Sequence, residues 1–138
     1  MQRLVIDTNV LVSAMISDGF PGKIVEELVM ENRVELCVSA AVLEEYEDVL
    51  GREKFRKVRG FLPNAQKALA YIKENARTFL PSQRVQLLND PDDDMFLELA
   101  LEASADFLIT GNTNDFTIGN IGQTPIITPA VYWQRHRP

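Results

Sequence analysis

Apolar and polar positions along this chain alternate between two rhythms. RLVI at 3–6 and VELCV at 34–38 are short, nearly continuous apolar runs of the kind that form buried strands. Between them, from about Pro21 to Glu31, the spacing is helical, so the first forty residues predict a βαβ unit. Segment 40–50 puts Val42, Leu43, Tyr46, Val49 and Leu50 on one helical face, with Ser39 as its N-cap and Glu44, Glu45, Glu47 and Asp48 around the rest of the turn. A basic stretch leads to Gly60, and Pro63 is expected to open a helix running to about Asn75. A short extended piece follows near Thr78–Leu80, then a polar stretch to Asn89. In DPDDDMFLELALEAS, Met95, Phe96, Leu99, Ala100 and Ala103 repeat at helical spacing behind acidic residues that suit an N-cap and first turn. Strand-like DFLIT at 106–110, a loop GNTNDF, strand-like TPIIT at 124–128 and a terminal helix capped by Thr128 complete the chain.

Strands alternating with helices require crossover connections and hence a mostly parallel sheet covered on both faces, a three-layer α/β/α sandwich. At 138 residues with 46% hydrophobic residues there is material for one core, so residues 1–138 are expected to form a single domain. No apolar run approaches the roughly 20 residues that span a bilayer, and the opening MQRLVIDTNV carries no cleavage-site pattern. A soluble, cytoplasmic protein without membrane contact is expected. The lone Cys37 sits in an apolar run, which precludes an intramolecular disulfide and fits a reducing compartment.

The formal net charge of −6 disfavours a protein that coats nucleic acid non-specifically, but charge is unevenly placed. Acid gathers at 44–48 and 90–94, and base at Arg52, Lys54, Arg56, Lys57 and Arg59. Asp7 directly follows the first strand, and Asp115 lies in the loop after strand 106–110. Asp94 is in the first turn of a helix, and Glu45 about two turns into another. Ligands in parallel sheets bind beyond the carboxyl ends of the strands, so four segments could deliver carboxylates to one pocket there. Crowded carboxylates take up protons or recruit cations, and an all-oxygen donor set favours Mg²⁺ or Mn²⁺, ions suited to in-line phosphodiester hydrolysis. Each residue also has a plainer reading. Asp7, Asp92, Asp93 and Asp94 suit helix caps and first turns, Glu45 a solvated helix face, and Asp115 an ordinary loop.

Four segments together resemble the PIN-domain family, close to the VapC-like ribonuclease toxins of bacterial and archaeal toxin–antitoxin pairs. VIDTNVLVSA at 5–14 is similar to the opening motif, and the resemblance makes Asp7 a metal ligand. VSAAVLEEYEDVL is similar to the second motif and selects Glu45 over Glu44. DPDDDMFLELALEASADFLITGN resembles the third and assigns its metal-binding acid to Asp94. At the fourth motif the sequence departs: Asn112 stands where many relatives carry Asp, leaving Asp115 as the acid and Asn112 as a neutral ligand or phosphate donor. Thr8, Asn9, Ser39 and Thr110 match positions that orient the carboxylates or the attacking water. The resemblance implies an Mg²⁺- or Mn²⁺-dependent endoribonuclease cutting single-stranded or loop RNA, a homodimer, and an antitoxin partner. The basic run Arg52, Lys54, Arg56 is expected to hold the RNA backbone, or else to be a solvated helix face. Apolar surface for partner contacts is expected from Phe55, Phe61, Tyr132 and Trp133.

Two competitors remain. A catalytically degenerate PIN domain would bind RNA or protein without cutting, and Asn112 keeps that reading open. A receiver-like Mg²⁺-binding signalling domain needs a phosphoacceptor Asp after a central strand and a late Lys, but no Lys occurs after Lys73. Nucleophilic triads are poorly supplied by one His, His136, and one apolar Cys. GFPGK at 19–23 lacks P-loop spacing, and no G-x-G-x-x-G is present.

Overall fold

The computed structural model describes residues 1–112 and 116–138. Six strands form one sheet: β1 (Arg3–Ile6), β2 (Glu35–Val38), β3 (Arg77–Thr78), β4 (Phe107–Ile109), β5 (Asn120–Ile121) and β6 (Thr124–Ile127), in the order β3-β2-β1-β4-β6-β5. Every pairing is parallel except the β5–β6 hairpin, whose tight turn places Gly122 at φ +56°. Central β1 is buried on both faces, with Leu4, Val5 and Ile6 fully enclosed, as a parallel sheet between two helical layers demands. The predicted α/β architecture is therefore the observed one.

The helices are α1 (Thr8–Ile16), α2 (Phe20–Lys23) running into a π-helical stretch Ile24–Val29, α3 (Ala40–Leu50), α4 (Glu53–Arg56), α5 (Phe61–Asn75), α6 (Pro91–Ala103) and α7 (Pro129–Arg135). Helix α1 was hidden in the sequence because TNVLVSAMI is apolar on most of its circumference and rich in β-branched residues, so it shows no clean helical stripe. Helices α2, α3 and α5 pack against it, and Thr8, Val10, Leu11, Ala14 and Met15 are buried. Helix α5 begins at Phe61, two residues before the proline expected to open it. Gly60 turns the chain in the left-handed region at φ +79°, and Pro63 falls within the first turn, where a missing N–H costs nothing.

The apolar contact surface expected from aromatic residues is mostly interior. Phe61 is buried and stacks on half-buried Phe55 with ring centroids 4.7 Å apart, and Tyr132 is buried with its hydroxyl donating to Gln2. Burying these large rings yields more than leaving them in water, which the sequence pattern of α4 and α7 did not reveal. Trp133 is half-buried between the Lys23 ammonium and the Arg137 guanidinium. The large hydrophobic side chains left exposed are Met1, Ile16, Leu62, Leu80 and Leu87. Among the described residues no helix is long and apolar enough to cross a membrane.

Candidate active site

The chain leaves β1 for β2 and β3 on one side, then returns to place β4 and β6 on the other. The direction of winding therefore reverses between β1 and β4, and the crevice beyond their carboxyl ends is where an open parallel sheet binds ligands. Asp7 follows β1 and Thr110 follows β4, so both stand at that crevice. Their backbones extend the sheet by one step each: the Asp7 amide donates to the Ile109 carbonyl at 2.9 Å, and the Thr110 amide to the Ile127 carbonyl at 3.0 Å.

Asp7 occupies the N-cap position of α1, yet its side chain makes no capping hydrogen bond. Its carboxylate instead accepts from the Thr110 hydroxyl at 2.8 Å through Oδ2, and the backbone amide of Asn112 donates to that same hydroxyl oxygen at 3.1 Å. The carboxylate is 4% exposed. Burial pushes its pKa above the ordinary value, the Thr110 hydrogen bond pulls back, and the neighbouring Glu45 charge pushes upward again; the backbone amides of Thr8 and Asn9 favour the ionised form. A simple capping residue would not be placed this way.

Glu45 reaches the crevice from α3. It is half-buried, whereas Glu44 is exposed, and its Oε2 accepts from the Thr8 hydroxyl at 2.6 Å. Thr8 and Thr110 thus each tie down one carboxylate. Tyr46, read from the sequence only as part of the apolar face, is buried and donates its hydroxyl to the Ile6 carbonyl, immediately before Asp7. Its pKa lies well above the ordinary value because of burial and then the Asp7 and Glu45 charges. Nothing in the spacing distinguished it from Val42 or Leu50, which share its face.

Asp94 stands in the first turn of α6 and is 6% exposed, with its Oδ1 accepting from the backbone amides of Leu87 at 3.2 Å and Leu88 at 3.0 Å. The cap of α6 is Asp90, which accepts from the Asp92 amide at 2.9 Å. Ser39 is committed to capping α3, accepting from the Val42 amide at 3.1 Å, and Asn9 is exposed. Asp115 lies outside the described residues. Arg52, Lys54 and Arg56 are exposed on and beside α4; Arg52 makes a 3.5 Å ion pair with Asp48, and the Lys54 ammonium sits 5.0 Å from the Phe55 ring centroid. Cys37 is buried, and burial pushes its thiol up to about 12, which makes it an apolar core residue without nucleophilic character.

Among the described residues, the structure draws Asp7 and Glu45 together but assembles no group of three or more His, Cys, Asp or Glu side chains at metal-holding distance. The pair still fits a hard divalent cation. Two oxygen donors, one of them buried at a cost to its charged form, match an ion such as Mg²⁺ that takes one or two carboxylates and keeps several waters.

Comparison with known proteins agrees with this architecture. The chain is 32% identical over 111 residues to an uncharacterised protein of Methanocaldococcus jannaschii, a match spanning 80% of this chain and 70% of that one. Two crystal structures share its fold at 17% identity, each match covering 92% of this chain and 98% of the other: VapBC2 from Rickettsia felis bound to a DNA fragment from their promoter, with a TM-score of 0.57, and FitAcB from Neisseria gonorrhoeae, with a TM-score of 0.55. A family model for the PIN domain matches residues 3–114, the stretch that holds β1 through β4 and every acidic segment discussed above except Asp115. The chain belongs to the PIN-domain family.

Proposed function

We propose that this protein is a metal-dependent endoribonuclease that hydrolyses phosphodiester bonds in single-stranded or loop RNA. The observation that carries the reading is Asp7: a buried carboxylate at the sheet's switch point, facing Glu45 and held by Thr110 rather than by its own helix. Asp7 and Glu45 would hold Mg²⁺ or Mn²⁺, with Asp94 and Asp115 completing the acidic set and Asn112 as a neutral oxygen donor. The ion, when bound, supplies an activated water and stabilises charge on the phosphate oxygens. Thr110 holds Asp7 in one orientation, Thr8 does the same for Glu45, and Tyr46 braces the backbone that carries Asp7.

The exposed run Arg52, Lys54 and Arg56 belongs to this reading as a phosphate-binding surface. Helix α3 leaves the carboxyl end of β2, and α5 returns the chain to the start of β3. Helix α3, which carries Glu45, leads through Gly51 and Arg52 into α4, so the basic run follows the acidic helix directly in the chain. The sequence resemblance to toxin-type PIN nucleases supports a cytoplasmic toxin that forms a homodimer and is restrained by a cognate antitoxin.

The test is cleavage of a mixed pool of structured and single-stranded RNAs in Mg²⁺, Mn²⁺ or EDTA. Cutting that needs the metal and falls by about a hundredfold or more in both Asp7→Asn and Asp94→Asn is the expected result. Equal cutting in EDTA would overturn the metal mechanism. The second reading, a degenerate PIN domain that binds without cutting, draws on Asn112 at the fourth motif; a folded, metal-binding wild type that leaves every RNA intact would establish it.

A further inference from the structure

The registers of the parallel ladders carry one step past the strands. Leu4 of β1 pairs with Leu36 and Val38 of β2 with Thr78, and the Phe79 amide continues the second ladder by donating to the Val38 carbonyl at 2.8 Å. Asp7, Ser39 and Phe79 therefore stand in one row beyond the carboxyl ends, about 5 Å apart from one strand to the next. Over the β2–β3 end of that row lies a cavity of about 390 Å³. It begins at Ser39 and Ala41, one strand from Asp7, and its walls are Phe79, Leu80, Pro81 and Met95; the charged side chains of Arg84 and Glu98 also line it. The Phe79 ring is anchored by the guanidinium groups of Arg3 and Arg77, 5.6 and 5.5 Å from its centroid. Leu80 is 88% exposed, more than any other large hydrophobic side chain among the described residues.

The volume lies near the lower end of small-molecule sites, which run from about 300 to 1,000 Å³. A helix with its side chains is about 10–12 Å across and does not enter such a space, whereas one flat ring system does. The apolar walls suit the faces of a nucleobase, which stack on side chains whatever the base, and the paired charges suit its edge, where ring oxygens and nitrogens accept and amino groups donate. Glu98 keeps an oxygen for that edge: its Oε2 accepts from the Val85 amide at 3.0 Å, and among the described residues nothing donates to Oε1. We propose that this cavity is a base-binding subsite that takes an unpaired nucleobase flanking the phosphate held at Asp7 and Glu45. This rests on the ribonuclease reading above and deepens it. A base locked in a duplex is paired and stacked and does not reach the cavity, so the subsite restricts the substrate to single-stranded or loop RNA.

The test removes the base from the RNA and the cavity from the protein, separately and together. Short single-stranded RNAs carrying an abasic ribose at each position in turn are bound to the full chain with Asp7→Asn, which keeps the strands intact, and affinity is read by fluorescence anisotropy. One abasic position is expected to weaken binding about tenfold, the effect of one lost base-stacking contact. Ala41→Trp fills the cavity from an exposed position and Leu80→Ser removes an exposed wall, so neither disturbs the core. With Ala41→Trp the intact RNA should bind about tenfold more weakly and the abasic position should cost nothing further; Leu80→Ser should give a smaller loss of the same kind. An abasic penalty that persists in full with Ala41→Trp, equal penalties at every position, or a duplex that binds as tightly as the single strand would each overturn the proposal. A Leu80→Ser protein whose mass in sedimentation changes while its RNA affinity holds would assign the cavity to a contact between copies of the chain and overturn it as well. A folded wild type that neither binds nor cuts any RNA would instead overturn the ribonuclease reading on which the subsite stands.

Discussion

Asp7 and Asp94 are both buried aspartates at the start of a helix that follows a long or short excursion from the sheet, and they are satisfied in opposite ways. Asp94 receives the backbone amides of Leu87 and Leu88 from the segment that precedes it, while Asp7 makes no well-formed capping bond, has its charge only partly offset by the nearby Thr8 and Asn9 amides, and accepts the Thr110 hydroxyl from the neighbouring strand end. Asp94 therefore contributes to holding the fold together before any ligand arrives. Asp7 is a charge that folding buries at a cost, next to another carboxylate. A buried carboxylate with a raised pKa at the carboxyl edge of a parallel sheet is the arrangement from which the proposed metal site is argued.

The sharpest way to break this comparison is to neutralise each acid in the metal-free protein. Asp94→Ala leaves the Leu87 and Leu88 amides without a partner and should cost roughly 2–3 kcal/mol, lowering Tm by about 5–10 °C. Asp7→Asn should do the reverse and raise Tm while it abolishes cleavage. The sign follows from the raised pKa: burying the charged form costs stability above the folded-state pKa, and the cost vanishes as pH falls below the ordinary aspartate value. The advantage of Asp7→Asn over wild type should therefore be full at neutral pH and shrink on acidification. Thermal melts of both variants from pH 7 down to pH 3 decide this. If both substitutions destabilise to the same extent, the two acids share one structural role and the contrast fails.

A smaller effect is expected at Thr110→Val, which keeps the shape but removes the hydroxyl that favours the ionised form of Asp7. The Asp7 pKa should climb further, so the acidic limb of the pH–rate profile should move to higher pH, with a loss of up to about tenfold in kcat/KM below neutrality that recovers in part at alkaline pH. A uniform loss at every pH would assign Thr110 a packing role only. The smallest effect is that of reversing charge at Arg52, Lys54 and Arg56. The site chemistry is untouched there, so kcat should hold while KM rises several-fold, on the order of the few phosphate contacts removed, with a flatter salt dependence. Unchanged binding across salt concentrations would return α4 to the status of a solvated helix face.

How much of this was legible in the sequence follows from the range of each interaction. Periodicity located β1, β2, α3, α6 and the Thr128 cap of α7, because alternation, helical spacing and capping all act within a few residues. The same local rules failed on α1, whose largely apolar surface answers to contacts with α2, α3 and α5, and on β5, two residues long and meaningful only once β6 lies beside it. At the site, the motif resemblance pointed to Asp7, Glu45, Asp94 and Thr110, and spacing placed Asp7 at a strand's carboxyl end. The bonds that distinguish these residues join positions 7 and 110, 8 and 45, and 94 with 87 and 88. The amino-acid sequence by itself determined the α/β class and the family, since those depend on residue type and order. Only the tertiary structure decided which acid is strained and which is satisfied, because burial and hydrogen-bond partners come from segments that meet across the sheet.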